Sequence, residues 1–209
     1  MKRGCFLTLE GGEGVGKTTN LAFIDDFLRR RGIEVVVTRE PGGVPVAEKL
    51  RELILDETGL LPEAELLLIF AGRVHHVRDK ILPALERGQW VVSDRFVDAS
   101  YAYQGGGRGL SWRRIEYLED WLVAGCRPDL TFLFDAPVEI GLGRARARGD
   151  INRFEEETVA FLERVRQAYL ERWRREPGRI CRIDASRPLA EVQEAIAARL
   201  SRLVETWRK

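Results

Sequence analysis

The sequence has almost no net charge, few cysteines and no long apolar run. Its 209 residues carry 34 lysines and arginines against 33 aspartates and glutamates, so no overall field favours a nucleic acid or a membrane surface as partner. No apolar run approaches the roughly 18 residues of a membrane-spanning helix, and the one before Glu10 is too short for a secretory signal. Cysteines at positions 5, 126 and 181 are too far apart for a disulfide framework or a metal site, which indicates reduced thiols in the cytoplasm. Any anion-binding site must therefore be local.

What the sequence does have is an alternation of short β-rich runs with longer helical patterns. The runs predicted as strands are CFLTL, EVVVT, WVVSD, LTFLFD and ICRID. Helices are predicted from Lys17 to near Gly32, around Val46, near Pro62, around Pro137, and from Pro188 to Trp207. This alternation predicts an α/β fold in which one five-stranded parallel sheet is covered by helices on both faces. Because no repeat or linker divides the chain, residues 1–209 are predicted to form a single domain.

A glycine-rich stretch, GGEGVGKT, lies between the first predicted strand and the first predicted helix. It fits G-x-x-x-x-G-K-[ST], the phosphate-binding loop or P-loop. Glycines let backbone amides turn inward beside a helix N-terminus, while Lys17 adds a positive charge and Thr18 a hydroxyl for Mg²⁺. A plain turn, the alternative interpretation, needs fewer glycines and no lysine. The stretch is predicted to bind a nucleoside triphosphate through Gly11, Gly12, Glu13, Gly14, Val15, Gly16, Lys17, Thr18 and Thr19.

Two arginines lie at the ends of predicted strands, where parallel α/β sheets bind their ligands. WVVSDRF contains Asp94, which suits Mg²⁺ held through water, and Arg95, which suits the phosphate of a second substrate. The alternative is a salt bridge that caps the strand edge. TREPGG puts Arg39 over the sheet edge, although the same residues also make an ordinary turn.

Two further segments suit a small ligand that carries a base. In IFAGR, Phe70 and Arg73 are three residues apart on one helix face, so that Phe70 is placed to stack on a base and Arg73 to reach its edge. A core phenylalanine beside a surface arginine is the commoner arrangement for such a pair. DASYAYQGGGRG is predicted to be a polar, aromatic and glycine-rich loop that contacts the ligand.

An arginine cluster, GRARARGDINRFEEE, follows the predicted strand LTFLFD. Arg144 and Arg148 share a helix face, and Gly149 with its polar neighbours indicates a mobile loop. A solvated helix face is the alternative for any such cluster. The position after a strand predicts a lid that closes over phosphates, at approximately residues 144–156.

In combination, the motifs resemble those of the thymidylate kinase family. EGGEGVGKTT, TREPGG, FAGR, SDRF, AYQGGGRG and RARARGDINRFE occur in the family's order and spacing over nearly the whole chain. The resemblance implies a three-layer P-loop NTPase fold with a mobile lid. It also implies transfer of the γ-phosphoryl group of ATP to dTMP, with Mg²⁺ as cofactor, by a homodimer. A GTPase is disfavoured because the guanine-reading pattern N-K-x-D is absent from the sequence.

The resemblance further implies roles for individual residues. The catalytic residues would be Glu10, Lys17, Arg95, Arg148 and Arg153. The last two are lid arginines of the bacterial type, in which the P-loop itself carries no arginine. Mg²⁺ would be held by Thr18 and Asp94. Substrate would be bound by Arg39, Phe70, Arg73, Arg95, Ser100, Tyr103, Gln104 and Tyr169, the last near the sugar, where crowding favours deoxyribose.

One position departs from the family pattern, and two other functions remain as alternatives. Ala99 stands where a small hydroxyl residue is frequent, which leaves the polar contacts of that segment open. A kinase for another monophosphate or a small alcohol would keep the P-loop but lose the base-reading residues. A non-catalytic nucleotide-binding regulator would be expected to lack Lys17, Asp94 or the lid arginines, and all of these are present.

Overall fold

The computed structural model of the chain describes residues 2–57, 59–123, 125–148 and 157–209. Its sheet has five strands, which are β1 (Phe6–Glu10), β2 (Val35–Arg39), β3 (Trp90–Asp94), β4 (Leu130–Asp135) and β5 (Ile180–Asp184). Every pairing is parallel, and the strand order is β2-β3-β1-β4-β5. The predicted α/β fold with a five-stranded parallel sheet is confirmed, and the first two strands lie one residue later than predicted.

Both faces of the sheet are buried, which is why its strands are nearly continuous apolar runs. On one face Leu7 and Leu9 pack with Ile24 and Leu28 of the first helix. On the other face Phe6 meets Phe96 edge to face, with ring centroids 4.9 Å apart. Because successive side chains of a strand alternate between faces, β1 contributes to both cores and fixes the sheet's centre.

The helices that cover the sheet begin where the sequence allows. They are α1 (Lys17–Arg29), α2 (Pro45–Asp56), α3 (Pro62–His76), α4 (Leu82–Glu86), α5 (Val97–Ser100), α6 (Trp112–Val123), α7 (Val138–Arg148), α8 (Val159–Arg175) and α9 (Leu189–Arg208). Pro45 and Pro62 occupy first helical positions, where a missing amide hydrogen costs nothing. Thr158 caps α8 by accepting from the amide of Phe161. No helix among the described residues is long and apolar enough to cross a membrane.

The segment DASYAYQGGGRG is helical, so its prediction as a loop is wrong. It forms α5 and then a π-helical turn, Tyr101–Gly107. Its glycines serve close packing on α8: a Cβ on Gly106 would lie 2.5 Å from the Cβ of Ala168, and one on Gly107 would lie 2.6 Å from the ring of Phe161. Gly106 and Gly107 are therefore required for the close approach of this segment to α8.

Candidate active site

The P-loop joins β1 to α1 and has the backbone that its glycines permit. Gly11, Gly14 and Gly16 have φ angles of 137°, 67° and 86°. A Cβ on Gly14 would lie 1.9 Å from the carbonyl oxygen of Gly141, so a side chain there would collide with α7. The ammonium of Lys17 donates to the carbonyl oxygens of Gly11 and Gly12, at 3.0 and 2.6 Å. The loop is therefore closed around its own lysine.

A first cavity opens beside this loop, and it is called the donor cavity because residues predicted to bind the nucleoside triphosphate line it. Its volume of about 790 Å³ lies within the range of small-molecule sites. Burial lowers the pKa of Lys17, as does Arg95, against the opposing charges of Glu13 and Asp94. The lining residues are Glu13, Gly14, Val15, Gly16, Lys17, Thr18, Thr19, Arg51, Leu55, Asp94, Arg95 and Arg144. Such a partly desolvated set of cations gains strongly from an anionic ligand.

Asp94 and Arg95 stand at the end of β3 with unusual features. The Oδ1 atom of Asp94 and the Nε atom of Arg95 are buried and have no hydrogen-bond partner among the described residues. Arg95 has a φ of 70°, the only positive φ of a described residue other than glycine. Strained backbone and unpaired polar atoms at one strand end are typical of a ligand site.

Arg95 forms a buried cluster with Glu13 and Tyr103. Its Nη2 contacts the carboxylate of Glu13 and donates to the Tyr103 hydroxyl at 3.0 Å, while that hydroxyl also donates to Glu13 at 2.8 Å. Burial alone would raise the pKa of Glu13, but Arg95 and Lys17 outweigh it and hold the pKa at about 2. Glu13 itself lines the first cavity, whereas its partners Arg95 and Tyr103 line a second cavity.

The second cavity lies between α3, α5 and the turn after β2, and it is called the acceptor pocket because residues predicted to bind the second substrate line it. Arg95 lines both cavities, so they meet at its side chain. Ala99 lines this pocket and brings no hydroxyl to it. The lining residues are Glu40, Pro41, Ile69, Arg73, Arg95, Phe96, Ala99, Ser100, Tyr103 and Gln104.

Arg73 is fixed in this pocket by three acceptors. Its guanidinium donates to Glu40 at 2.7 Å, to the Ser100 hydroxyl at 3.0 Å and to the Phe96 carbonyl at 3.1 Å. The other carboxylate oxygen of Glu40 lies 2.8 Å from Nδ1 of the buried His76. Burial would raise the pKa of Glu40, but Arg73 and His76 together lower it. The guanidinium is therefore held rigidly by an ionised partner.

Phe70, which the sequence predicts to stack on a base, is fully enclosed in the structure. The ring has no exposed surface, and the guanidinium of Arg73 lies 4.6 Å from its centroid. Phe70 packs in the core with Leu66 and Phe96, while Ile69 faces the pocket. Phe70 and Arg73 are in contact, as their helical spacing predicts. The spacing alone could not predict whether Phe70 or its neighbour Ile69 lines the pocket.

Arg39 is also outside both cavities, and Arg51 is the arginine that sequence reasoning missed. Arg39 lies on an edge strand, its side chain is 53% exposed, and it pairs with Glu48 at 2.9 Å. Arg51 lines the donor cavity and donates to the carbonyl of Pro41 at 3.0 Å. Burial lowers the pKa of Arg51, and Arg39 and Arg95 lower it further. The available signal was an arginine on the helix that follows the TREPGG turn.

Glu10 is buried behind the site rather than facing the ligand cavities. Its carboxylate accepts from the amide of Phe96 at 2.7 Å and from the Tyr169 hydroxyl at 2.8 Å. Burial, aided by Asp98, raises the pKa of Glu10. Tyr169 in turn packs edge to face on Tyr103, with centroids 6.3 Å apart. Glu10 and Tyr169 thus join β1, the strand end at Arg95 and α8 into one support for the pocket.

Of the predicted lid, residues 144–156, the structure describes only residues 144–148. Arg144 donates to the carbonyl of Ala185 at 2.8 Å and lines the donor cavity. The side chain of Arg148 and all of Arg153 lie outside the described residues. Their predicted roles therefore stay predictions.

Comparisons with known proteins agree with this arrangement. The family model for thymidylate kinase matches residues 9–196. Thymidylate kinases from Methylococcus capsulatus and Pseudomonas entomophila are 58% and 54% identical to the chain, and each alignment covers at least 98% of both proteins. The crystal structure of thymidylate kinase from Ehrlichia chaffeensis has a TM-score of 0.79 at 30% identity and covers 95% of this chain and 99% of its own. The fold and the site agree with relatives that match over nearly the full length. The chain therefore belongs to the thymidylate kinase family.

Proposed function

We propose that the two cavities are the donor and acceptor sites of one phosphoryl transfer, in which a phosphate oxygen of dTMP attacks the γ-phosphorus of ATP. That reaction, which gives dTDP and ADP, defines the family, so the chain is an ATP-dependent nucleoside monophosphate kinase. The observation that carries the proposal is the side chain of Arg95. It lines both cavities at the point where a donor and an acceptor phosphate would meet.

On the donor side, the P-loop amides and Lys17 would bind the phosphates of ATP. Lys17 is within hydrogen-bond distance of two loop carbonyls, and phosphate oxygens would take their place. The burial that lowers the pKa of Lys17 also strengthens its attraction to an anion, because little water competes. Arg144 lines the same cavity from α7 and would face the nucleotide.

Thr18 and Asp94 fit the magnesium ion that such kinases use. The buried Oδ1 of Asp94 has no partner among the described residues, and Thr18 adds a hydroxyl to the same cavity. Oxygen ligands of this kind, completed by water and phosphate, suit Mg²⁺. The bound ion would neutralise charge on the phosphates. We therefore assign the metal to these two residues, with Asp94 acting through water.

On the acceptor side, Arg95 and Arg51 would hold the phosphate of dTMP, and Arg73, Ser100, Tyr103 and Gln104 the nucleoside. Arg51 replaces Arg39 in this assignment because Arg51 lines the donor cavity together with Arg95, where the two phosphates would meet, whereas Arg39 lines neither cavity. The entering phosphate would compete with Glu13 for the guanidinium of Arg95.

Catalysis in this scheme is positioning and charge. No protein nucleophile is needed, since the acceptor phosphate itself attacks in line. Lys17 and Arg95 would stabilise charge on the donor and acceptor phosphates. Closure of the predicted lid would exclude water from the cavity. We propose the same role on the transferred group for the lid arginines Arg148 and Arg153, and treat residues 1–209 as one kinase domain.

The proposed reaction is tested by ADP release with ATP and Mg²⁺ against dTMP, dUMP, dCMP, AMP and GMP. We expect the highest kcat/KM with dTMP, above dUMP by about tenfold or more, since one methyl group in an apolar pocket is worth roughly 10- to 200-fold. Faster turnover of another monophosphate would overturn the acceptor assignment and leave the donor site standing. Absence of turnover with all five would favour a nucleotide-binding regulator.

We also propose that the chain forms a homodimer through an apolar face of α3 and α6, called the α3–α6 face. These two helices contact each other, and the exposed fractions of Leu61, Leu67, Tyr117 and Trp121 are 70%, 57%, 67% and 67%. Large apolar side chains clustered on neighbouring helices are typical of protein interfaces. A second copy of the chain is the occupant that the family resemblance implies.

The dimer is tested by light scattering during size-exclusion chromatography. Leu67→Glu is expected to convert a dimer into a monomer, because a carboxylate would be buried without a partner. Leu189→Glu is the matched control, since Leu189 is 49% exposed on the distant helix α9. A monomeric wild-type protein, or a Leu67→Glu variant that stays dimeric, would exclude this interface.

The cysteines support a reducing compartment. All three are free thiols, and burial raises the pKa of Cys5 and of Cys126 to about 12. Such thiols are poor nucleophiles and play no part in the chemistry. We therefore propose that the enzyme works in the cytoplasm, where ATP is available.

A further inference from the structure

Glu65 is a buried carboxylate on α3 that the reaction does not use. It is 1% exposed and lies one helical turn before Ile69, which faces the acceptor pocket. The Nε2 atom of Gln104 donates to its Oε1 at 2.8 Å, and Arg108 lies 3.6 Å from its Oε2. Glu65 thus contacts a residue of the pocket wall from behind.

This contact fixes which end of the Gln104 amide faces the pocket. A carboxylate that is paired with an arginine accepts hydrogen bonds and has none to donate. The amide can therefore meet Glu65 only through its NH₂ group, which turns the carbonyl oxygen Oε1 the other way. This orientation follows from the chemistry of the pair alone.

Arg73 supplies the complementary half of the pattern. Its guanidinium is held by Glu40, Ser100 and Phe96 and offers only donors. The pocket wall then carries one fixed donor group, Arg73, and one fixed acceptor, Oε1 of Gln104. Thymine has a carbonyl acceptor, O4, beside its N3–H donor, whereas cytosine has an amino donor beside an unprotonated N3. The pattern complements thymine and opposes cytosine.

We propose that Glu65 is a positioning residue that sets the pyrimidine specificity of the acceptor pocket. It acts through Gln104, whose carbonyl oxygen it directs at N3–H of the base, and it does not touch the substrate. This inference rests on the proposed function, because it takes dTMP as the acceptor. Glutamine at position 65 offers both a donor and an acceptor, so it would let the Gln104 amide rotate and present its NH₂ group to the base.

The test is a comparison of Glu65→Gln with Glu63→Gln in kcat and KM for dTMP and dCMP. Glu63 is two residues away on the same helix, 59% exposed and 3.8 Å from Arg114, so it controls for loss of a helix carboxylate. In Glu65→Gln we expect the dTMP/dCMP ratio of kcat/KM to fall by about tenfold or more, mainly through KM for the acceptor. The KM for ATP should change by less than about twofold. Glu63→Gln should match the wild type.

A conservative variant separates positioning from support of the fold. Glu65→Asp keeps an acceptor-only group, so it should retain the preference for dTMP even where its overall rate falls. If Glu65→Gln loses activity equally on both substrates, or keeps its ratio, the inference is overturned. If the wild type itself does not prefer dTMP, the proposed function fails instead.

Should Glu65→Gln not fold, as judged by circular dichroism, two other variants decide. Gln104→Met removes the carbonyl while nearly preserving shape, and it should lose the dTMP/dCMP preference while Glu65→Asp retains it. A Gln104→Met enzyme with the wild-type ratio, or a Glu65→Asp enzyme without it, would overturn the inference.

Discussion

Replacing Lys17 with methionine is expected to lower kcat by about 10³-fold, since one preorganised charged donor at a transferring group is worth roughly 10² to 10³. Lys17 is the only lysine that lines the described part of the donor cavity. Its neighbours Arg51, Arg95 and Arg144 come from other elements, so none of them can replace an ammonium that lies within the loop itself. The loss should appear mainly in kcat, because the loop amides would still hold the nucleotide.

The fold should tolerate this change. The ammonium is buried, which lowers the pKa of Lys17, and methionine has nearly the same length without a charge to desolvate. We therefore expect a thermal midpoint within about 4 °C of the wild type, equivalent to roughly 1 kcal/mol for a chain of this size. Lys49→Met, at an exposed position of α2, is the control in the ADP-release assay. Turnover within about tenfold of the wild type would contradict the donor role of Lys17.

The sheet and the P-loop could be predicted because each depends on residues close together in sequence. Strand runs such as LTFLFD are mainly apolar and buried at every position since both faces are covered, and the glycines of the P-loop have φ angles that few other residues adopt. Asp94 and Arg95 could be placed as well, since the carboxyl ends of parallel strands share one edge.

The side-chain environment of the acceptor pocket could not be predicted in the same way. Arg39 and Arg51 differ only in whether an edge strand or a helix directs them, and that is settled by packing. Phe70 and Ile69 are adjacent apolar residues of α3, and it is the packing of distant elements that encloses Phe70 in the core while Ile69 lines the pocket. Glu65 contacts Gln104 across 39 residues of sequence, a pairing with no local signal.

Arg95 should be the least replaceable residue of the acceptor pocket. We expect Arg95→Ala to lower kcat/KM for dTMP by about 10³-fold or more, the range that a positioned arginine supplies in phosphoryl transfer. Arg39→Ala is the matched control. Arg39 lies opposite Asp94 in the register of β2 and β3, but its side chain is largely exposed and pairs with Glu48. That variant should keep kcat/KM within about threefold of the wild type. Equal losses in the two variants would contradict the placement of Arg95 between the cavities.

A second substitution tests whether the backbone strain at Arg95 serves the reaction. Its φ of 70° is a left-handed conformation that costs a non-glycine residue about 1 kcal/mol and that glycine adopts freely. Arg95→Gly should therefore be as inactive as Arg95→Ala yet more stable than it by about 1 kcal/mol, measured by urea denaturation of both variants.

The pH dependence of that stability provides a further check. Arg95 helps to lower the pKa of Glu13 to about 2, against the effect of burial, so its pairing stabilises the fold above the ordinary pKa of 4.5 and is lost as the pH falls through 2. At neutral pH both variants should lack the stabilisation that the Arg95–Glu13 pair provides. Only the glycine variant should recover part of the lost stability, because glycine relieves the backbone strain. If the two variants prove equally stable, the left-handed backbone at position 95 does not lower the stability of the fold. The interpretation that strain is tolerated to hold the guanidinium between two phosphates would then be wrong.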